Sequence, residues 1–201
     1  MTQKQRLGFG VIGCGRIAPK HTESIVAIPD AELVAVCDIV PEKAESFARK
    51  YNAVAYLDYK ELLQRDDIDI VTIATPSGSH AEIGIAAAKA GKHVMVEKPM
   101  AMTLADADLL IKTCRECGVK LGVIHQNRFN KSIKLLRAAL EAGRFGKLTH
   151  GQATIRWNRN QEYYDQAPWR GTRLQDGGVL MNQSIHNIDL LQWMLGEVDS
   201  V

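Results

Sequence analysis

Between Leu7 and Gln126, six apolar runs of strand length alternate with segments of helical pattern. The strand-like runs cover 7–12, 31–38, 54–56, 68–75, 93–98 and 120–126. Helices are expected over 19–28, 41–51, 59–64, 81–90 and 103–117, with Thr103 capping the last and Gly91 stopping the one before it. The runs are largely continuous rather than strictly alternating, which marks strands covered on both faces, and intervening helices join such strands in parallel. The expected fold is therefore α/β, a doubly wound parallel sheet. Such sheets bind ligands at the C-terminal ends of their strands. Polar residues gather there: Asp38, Thr75, His80, Glu97, Lys98, His125, Gln126 and Asn127.

The first strand runs into Gly13-Cys14-Gly15-Arg16-Ile17-Ala18 and then into a helix. On its own GxGxxA is a weak motif and reads equally as an ordinary glycine turn; strand before and helix after give it the context of a dinucleotide site. Gly13 allows the tight turn, Gly15 lets a pyrophosphate reach the backbone, and Ala18 lets helix and strand pack closely. The anion would rest over Gly13, Gly15, Arg16 and Ile17, at the positive end of the helix. Asp38 ends the second strand about 20 residues further on, where this fold places the acid that holds the adenosine ribose hydroxyls. The same Asp also reads as a cap for the helix opened by Pro41. A carboxylate there repels a 2′-phosphate, and Ile39 and Val40 supply no arginine to attract one, so NAD is favoured over NADP.

The net charge of +2 supplies no drive towards nucleic acid or anionic membrane, and no apolar run is long enough to span a bilayer. Residues 1–6 lead straight into the first strand and read as no signal peptide. The four cysteines fit a reducing compartment. A cytoplasmic location is the expectation. Cys14 and Cys37 sit at strand ends as small buried residues. Cys114 and Cys117 spell CxxC at the end of a helix, where the dipole disfavours a thiolate, and no second pair completes a zinc site. No metal is expected.

The pattern changes after 126, which sets the expected domains at 1–126 and 127–201. A helix is expected over 132–142, then an antiparallel strand over 148–157 by its alternation. A polar, aromatic loop covers 158–172, a long helix 179–195, and 197–201 reads as the beginning of a strand. One strand makes no stable sheet, so this second domain is expected to be cut short or completed by another chain. On its long helix Asn182 and His186 are four apart, with Asp189 near the same face. Such a His is ordinarily a surface or satisfied core residue, yet the turn 179–186 is otherwise apolar. Lys98, between Glu97 and Pro99, is either a desolvated working amine or half of a simple Glu–Lys pair.

Glu97-Lys98-Pro99, the GxGxxA turn, Thr75-Pro76 followed by His80, and Gly177-Gly178-Val179-Leu180 leading to His186-Asn187-Ile188-Asp189-Leu190 together resemble the Gfo/Idh/MocA oxidoreductase family. The resemblance covers essentially the whole chain. It implies a Rossmann domain followed by an α+β domain with an open, mostly antiparallel sheet, and reversible hydride transfer between a sugar or polyol hydroxyl and a nicotinamide cofactor. It makes Lys98 the lysine that holds the reacting oxygen, His186 the general acid/base, and Trp169-Arg170 a pair near the cofactor. Family members often carry Asp where this chain has Asn182, which cannot ionise and is left to orient substrate or His186. The implied cofactor contacts are Gly13, Gly15, Arg16, Ile17, Asp38, Thr75, Pro76, His80, Glu97, Lys98, Gln126, Trp169 and Arg170. The implied substrate contacts are Lys98, Asn127, Arg128, Tyr163, Tyr164, Arg170, Asn182, Gln183 and His186. The stretch 157–172 with Asn182-Gln183 looks most like bacterial nucleotide-sugar 3-dehydrogenases acting on UDP-N-acetylglucosaminuronate for surface-polysaccharide sugars. Arg156, Arg159, Arg170 and Arg173 suit an anionic substrate. Members extend further than this chain, and the part beyond usually makes the interface of a homodimer or tetramer. An inositol or free-sugar dehydrogenase, and a non-catalytic NAD-binding module or inactive fragment, stay open as alternatives.

Overall fold

The structure, a computed structural model, describes residues 6–201, so the expected leaderless start over 1–5 lies outside the described residues. The chain divides into two compact units, 1–124 and 125–201.

The first unit holds β1 (Leu7–Ile12), α1 (Ala18–Val26), β2 (Ala31–Cys37), α2 (Pro41–Tyr51), β3 (Val54–Tyr56), α3 (Tyr59–Leu63), β4 (Ile70–Ile73), α4 (His80–Lys89), β5 (His93–Glu97), α5 (Leu104–Glu116) and β6 (Leu121–Ile124). The sheet order is β3-β2-β1-β4-β5-β6, and every neighbouring pair is parallel. This is the order in which the chain starts at the centre of the sheet and reverses direction beside β1. Successive residues of β1 feed opposite faces. Phe9 and Val11 join a core with Ala18, Ile25, Leu33, Val36 and Ala48, which α1 and α2 cover. Ile12 joins the other core, with Leu62, Ile73, Ile83, Val96 and Leu110, covered by α3, α4 and α5. Each such fully buried aliphatic side chain contributes roughly 1.5–3 kcal/mol. The helices begin and end where local chemistry dictates. Pro19 and Pro41 open α1 and α2, the Asp58 and Thr103 side chains cap α3 and α5, and Asn52 closes α2 in the left-handed conformation.

The second unit holds α6 (Lys131–Glu141), α7 (Gln161–Asp165) and α8 (Ile185–Leu195), with a π-helical turn over Leu180–Ser184 running directly into α8. The helix expected over 179–195 is therefore present, but its first part is wound more loosely. The strand expected over 148–157 does not form, nor does one at 197–201. Strand backbone needs a partner to receive its hydrogen bonds, and the second unit has no strand among its described residues. The segment instead passes α8 closely at Gly151, where an added Cβ would lie 2.8 Å from Leu195. Arg137 and Arg128 bracket this end of α8. Their guanidiniums lie 5.1 and 5.0 Å from the Trp193 ring, and Arg137 also donates to the Trp193 carbonyl.

Among the described residues no helix is long and apolar enough to cross a membrane. At the entrance to β1, Gly8 donates to the Asp69 carboxylate and accepts from the Asp69 N–H, both at 2.8 Å, and an ideal Cβ on Gly8 would lie 1.8 Å from the Asp67 carbonyl oxygen. Gly8→Ala should accordingly cost at least about 3 kcal/mol, the upper end for overpacking, because backbone rather than a movable side chain blocks the site. Urea unfolding measures it; a midpoint equal to the parent's would mean that the 67–69 crossing yields freely.

Candidate active site

At the end of β1 the chain turns through Gly13 at φ +97°, a conformation that costs glycine nothing. Its N–H donates to the Cys37 carbonyl at 2.7 Å, and an added Cβ would lie 2.7 Å from Ala74 backbone, so β1, β2 and β4 converge there. Asp38 braces the same turn. One carboxylate oxygen accepts from the Cys14 N–H at 2.8 Å and the other from the Val40 N–H at 2.9 Å. Each oxygen keeps further lone-pair capacity for a ligand hydroxyl. Cys14 and Cys37 are buried beside this turn, and burial, with Asp38 adding to it, pushes both thiols up to about 12. They are inert thiols rather than nucleophiles. Cys114 is buried on the last turn of α5, where burial raises its thiol as well.

The turn fits a dinucleotide pyrophosphate. An ideal Cβ on Gly15 meets no protein atom within 4 Å, so the protein's own packing gives no reason for glycine there. Arg16 and Ile17 are exposed at the start of α1, whose first N–H groups receive no side-chain cap.

The loops after β4 and β5 carry the remaining residues of the first unit. His80, 1% exposed, ties them together: its Nε2 lies 2.9 Å from the Thr75 carbonyl oxygen and its Nδ1 2.7 Å from that of Pro99. With both ring nitrogens engaged by backbone, His80 braces the two loops at which its cofactor contact is expected. Thr75 accepts from the Ser79 hydroxyl at 2.8 Å, and Pro76 leads into the short turn Ser77–Ser79. Glu97 is buried, and its carboxylate meets His21 Nε2 of α1 at 2.9 Å and accepts from the Lys98 N–H at 3.2 Å. Nothing in the sequence singles out His21, whose partner lies 76 positions away. Lys98 is half-buried at the end of β5. Gln126, exposed, and Asn127, half-buried, fall in a short turn that belongs to the second unit.

Among the described residues of the second unit only three are buried, and all three are polar: Asp176, Asn182 and His186. Asn182 lies on the π-helical turn and His186 at the start of α8. Asn182 donates to the carboxylate of Asp176, whose other oxygen accepts from the Gly171 N–H at 3.2 Å. Gln183 donates to Asn182 at 2.9 Å and to the Tyr163 hydroxyl at 3.0 Å. Tyr163 meets Tyr164 edge-on at 5.2 Å, and the guanidiniums of Arg170 and Arg159 lie 4.4 and 5.1 Å from its ring. Arg170 also lies 4.8 Å from the Trp169 ring, and its buried Nε has no hydrogen-bond partner among the described residues. The structure thus brings Tyr163, Tyr164, Trp169, Arg170, Asn182 and Gln183 into one cluster. Arg128 grips Asp189 through two bonds of 2.8 and 2.5 Å, with His125 Nδ1 3.6 Å from the same carboxylate. The bidentate pair fixes that edge of the guanidinium and leaves its Nη1 donors for the substrate contact expected of Arg128. Asp176 escapes a reading of the sequence. Its only signal is an acid immediately before Gly177-Gly178. Among the described residues no three His, Cys, Asp or Glu side chains gather closely enough to hold a metal ion.

The chain matches known proteins over nearly all of its length. The family model described as an oxidoreductase family with an NAD-binding Rossmann fold matches residues 7–125, and the model of the Gfo/Idh/MocA C-terminal domain matches 133–201. The WlbA dehydrogenase of Bordetella pertussis, solved in complex with NADH and UDP-GlcNAcA, is 42% identical, with a TM-score of 0.93 over 96% of this chain and 58% of its own. The WlbA enzyme of Chromobacterium violaceum, in complex with the same two ligands, is 39% identical, with a TM-score of 0.89 over 98% and 57%. The myo-inositol 2-dehydrogenase of Thermotoga maritima is 34% identical over 94% of this chain and 55% of its own length. The chain spans a little over half the length of these relatives. One family model runs from β1 to the end of the sheet and the other takes up most of the second unit: the chain belongs to the Gfo/Idh/MocA oxidoreductases.

Proposed function

We propose that the chain carries the cofactor domain and the catalytic turn of an NAD-dependent dehydrogenase that oxidises a hydroxyl of an anionic nucleotide sugar, UDP-N-acetylglucosaminuronate or a close relative. The observation that carries this reading is the burial pattern of the second unit. Burying polar groups costs free energy unless they are matched, and a small unit that buries Asp176, Asn182 and His186 while leaving large apolar residues exposed is spending stability on a site. The ligands of the two WlbA structures support the choice of substrate. So do the guanidiniums of Arg159 and Arg170, which lie against Tyr163 with no carboxylate partner among the described residues.

NAD, when bound, supplies the acceptor for a hydride. Gly13, Gly15 and the start of α1 hold its pyrophosphate, and Asp38 accepts from the ribose hydroxyls while its charge disfavours a 2′-phosphate. The chain's own residues manage the proton. His186 takes the substrate hydroxyl proton on an imidazole nitrogen. In the first unit the Lys98 ammonium is a donor suited to a substrate oxygen, a bond that strengthens as alkoxide character develops and so lowers the barrier rather than merely binding the alcohol. Arg170 and Arg159 contact the anionic part of the sugar nucleotide.

Mixing the 201-residue chain with NAD and UDP-N-acetylglucosaminuronate, with myo-inositol as the parallel arm, tests the reading through NADH formation. Turnover of the sugar nucleotide and not of myo-inositol is expected; the reverse would assign the chain to the inositol dehydrogenases, and NADH binding without turnover of either would leave it a binding module. His186→Ala should lower turnover about 10²–10⁴-fold and change NADH affinity less than twofold, since it removes only the proton acceptor. Equal losses in both would remove His186 from that role. Gly15→Ala should leave the unfolding midpoint within about 0.5 kcal/mol of the parent's, since the added methyl meets only open space, yet weaken NADH binding at least tenfold. Unaltered NADH affinity would place the pyrophosphate elsewhere.

A further inference from the structure

We propose that Asp176 is a positioning residue for the turn that carries Asn182 and His186, and that positions 176 and 182 work only as one carboxylate and one amide. The structure shows four side chains in series. Arg159 donates to the Gln183 side-chain oxygen at 3.0 Å; Gln183 donates to the Asn182 oxygen at 2.9 Å; Asn182 donates to Asp176. An arginine can only donate and an ionised carboxylate can only accept. With its ends fixed in this way, the series admits a single orientation of each amide: both oxygens face the cation and both NH2 groups face the anion. A chain with a positive head and a negative tail polarises each bond in it. It also ties the loop of residues 158–176 to the π-helical turn, where regular helical bonding is relaxed and side chains must define the shape.

The same logic sets the chemistry of the pair. A second carboxylate, placed at position 182 opposite Asp176, would bring two acids into contact in a buried site, and one would have to hold a proton. Exchanging the two side chains, so that the amide stands at position 176 and the carboxylate at position 182, keeps every bond. The amide NH2 then donates to the carboxylate, the carboxylate accepts from Gln183, and the amide oxygen accepts from the Gly171 N–H. Charged or titratable groups bearing on the pair include Arg159 and Tyr163 through Gln183, Arg170 against Tyr163, and His186 on the same helical run. The positioning role rests on the reading of His186 as the acid/base; the pairing rule does not.

The test is a cycle of D176N, N182D and the double variant in the full chain. Thermal midpoints are read at about pH 5.5 and about pH 8.5, on either side of where a shared carboxyl proton is lost. In N182D one folded-state carboxyl pKa is raised above its unfolded value, so stability is present at low pH and is lost as pH rises. N182D should therefore melt below the parent by a margin that widens towards pH 8.5, and the double variant should recover most of that margin with the parent's pH dependence. An N182D chain that folds only when D176N accompanies it counts the same way. In turnover, the ratio of N182D to parent should fall about tenfold from the lower to the higher pH, one unit's worth of lost protonation, while NADH affinity stays within twofold. A double variant no better than N182D, or an N182D midpoint that tracks the parent's across pH, overturns the pairing. A parent with no turnover on any sugar overturns the catalytic reading instead, and the thermal cycle still decides the pairing.

Discussion

At Gly13 the ends of β1, β2 and β4 meet with no room for a side chain, and the rest of the first unit depends on that contact. The Gly13 N–H is taken by the end of β2, and the space above its Cα is filled by backbone of β4. A residue with a Cβ would have to push β4 away, and with it the loop through Thr75 that His80 ties to Pro99. Asp38 then accepts from the amide next to Gly13, so the acid at the end of β2 is held by the turn that closes β1. The geometry a dinucleotide needs is thus a by-product of how tightly three parallel strands can end together. Gly15, two residues on, differs in kind: its neighbourhood is open, and no packing among the described residues requires glycine there.

The second unit obeys a different balance. Several of its large apolar residues, among them Phe129, Leu135, Leu174 and Val179, are exposed, and its three buried residues are polar. Within these residues, the contacts that order the unit are largely polar. They are directional bonds: Arg128 to Asp189, Arg137 to the end of α8, and the series from Arg159 to Asp176. Such bonds are individually modest in net terms but costly to leave half-made when buried.

How much of this is legible in the sequence depends on the range of the forces involved. The strands and helices of the first unit fall within two or three residues of where apolar runs, Thr103, Pro41 and Gly91 place them, because burial on two faces and local capping both write themselves into consecutive residues. The alternation at 148–157 misleads because periodicity reports what a segment could pair, not whether a partner is there. At Gly151 the segment instead passes close to Leu195 of α8. The ion pair of Arg128 is hidden for the opposite reason: its partner Asp189 is 61 residues away, and no local pattern announces a long-range pair. The bond from His21 to Glu97 and the one from Asp176 to Asn182 belong to the same class.

These cases separate two kinds of polar residue that a sequence presents alike. Arg128 and Arg170 both lie among aromatic and polar residues, and both suit an anionic ligand on composition alone. Arg128 has one edge of its fork bound by a carboxylate of its own unit, which raises its already high pKa. Arg170 lies against Tyr163 and Trp169, with its charge uncompensated by any carboxylate partner among the described residues. His80 and His186 divide by setting: the ring of His80 is enclosed between two backbone carbonyls, whereas His186 sits at the start of α8, beside the turn where its unit buries polar groups together. A charged or titratable side chain whose valences are filled by backbone or by a counter-charge supports the site. One held by aromatic faces, as Arg170 is by Tyr163 and Trp169, keeps its charge without a carboxylate partner among the described residues.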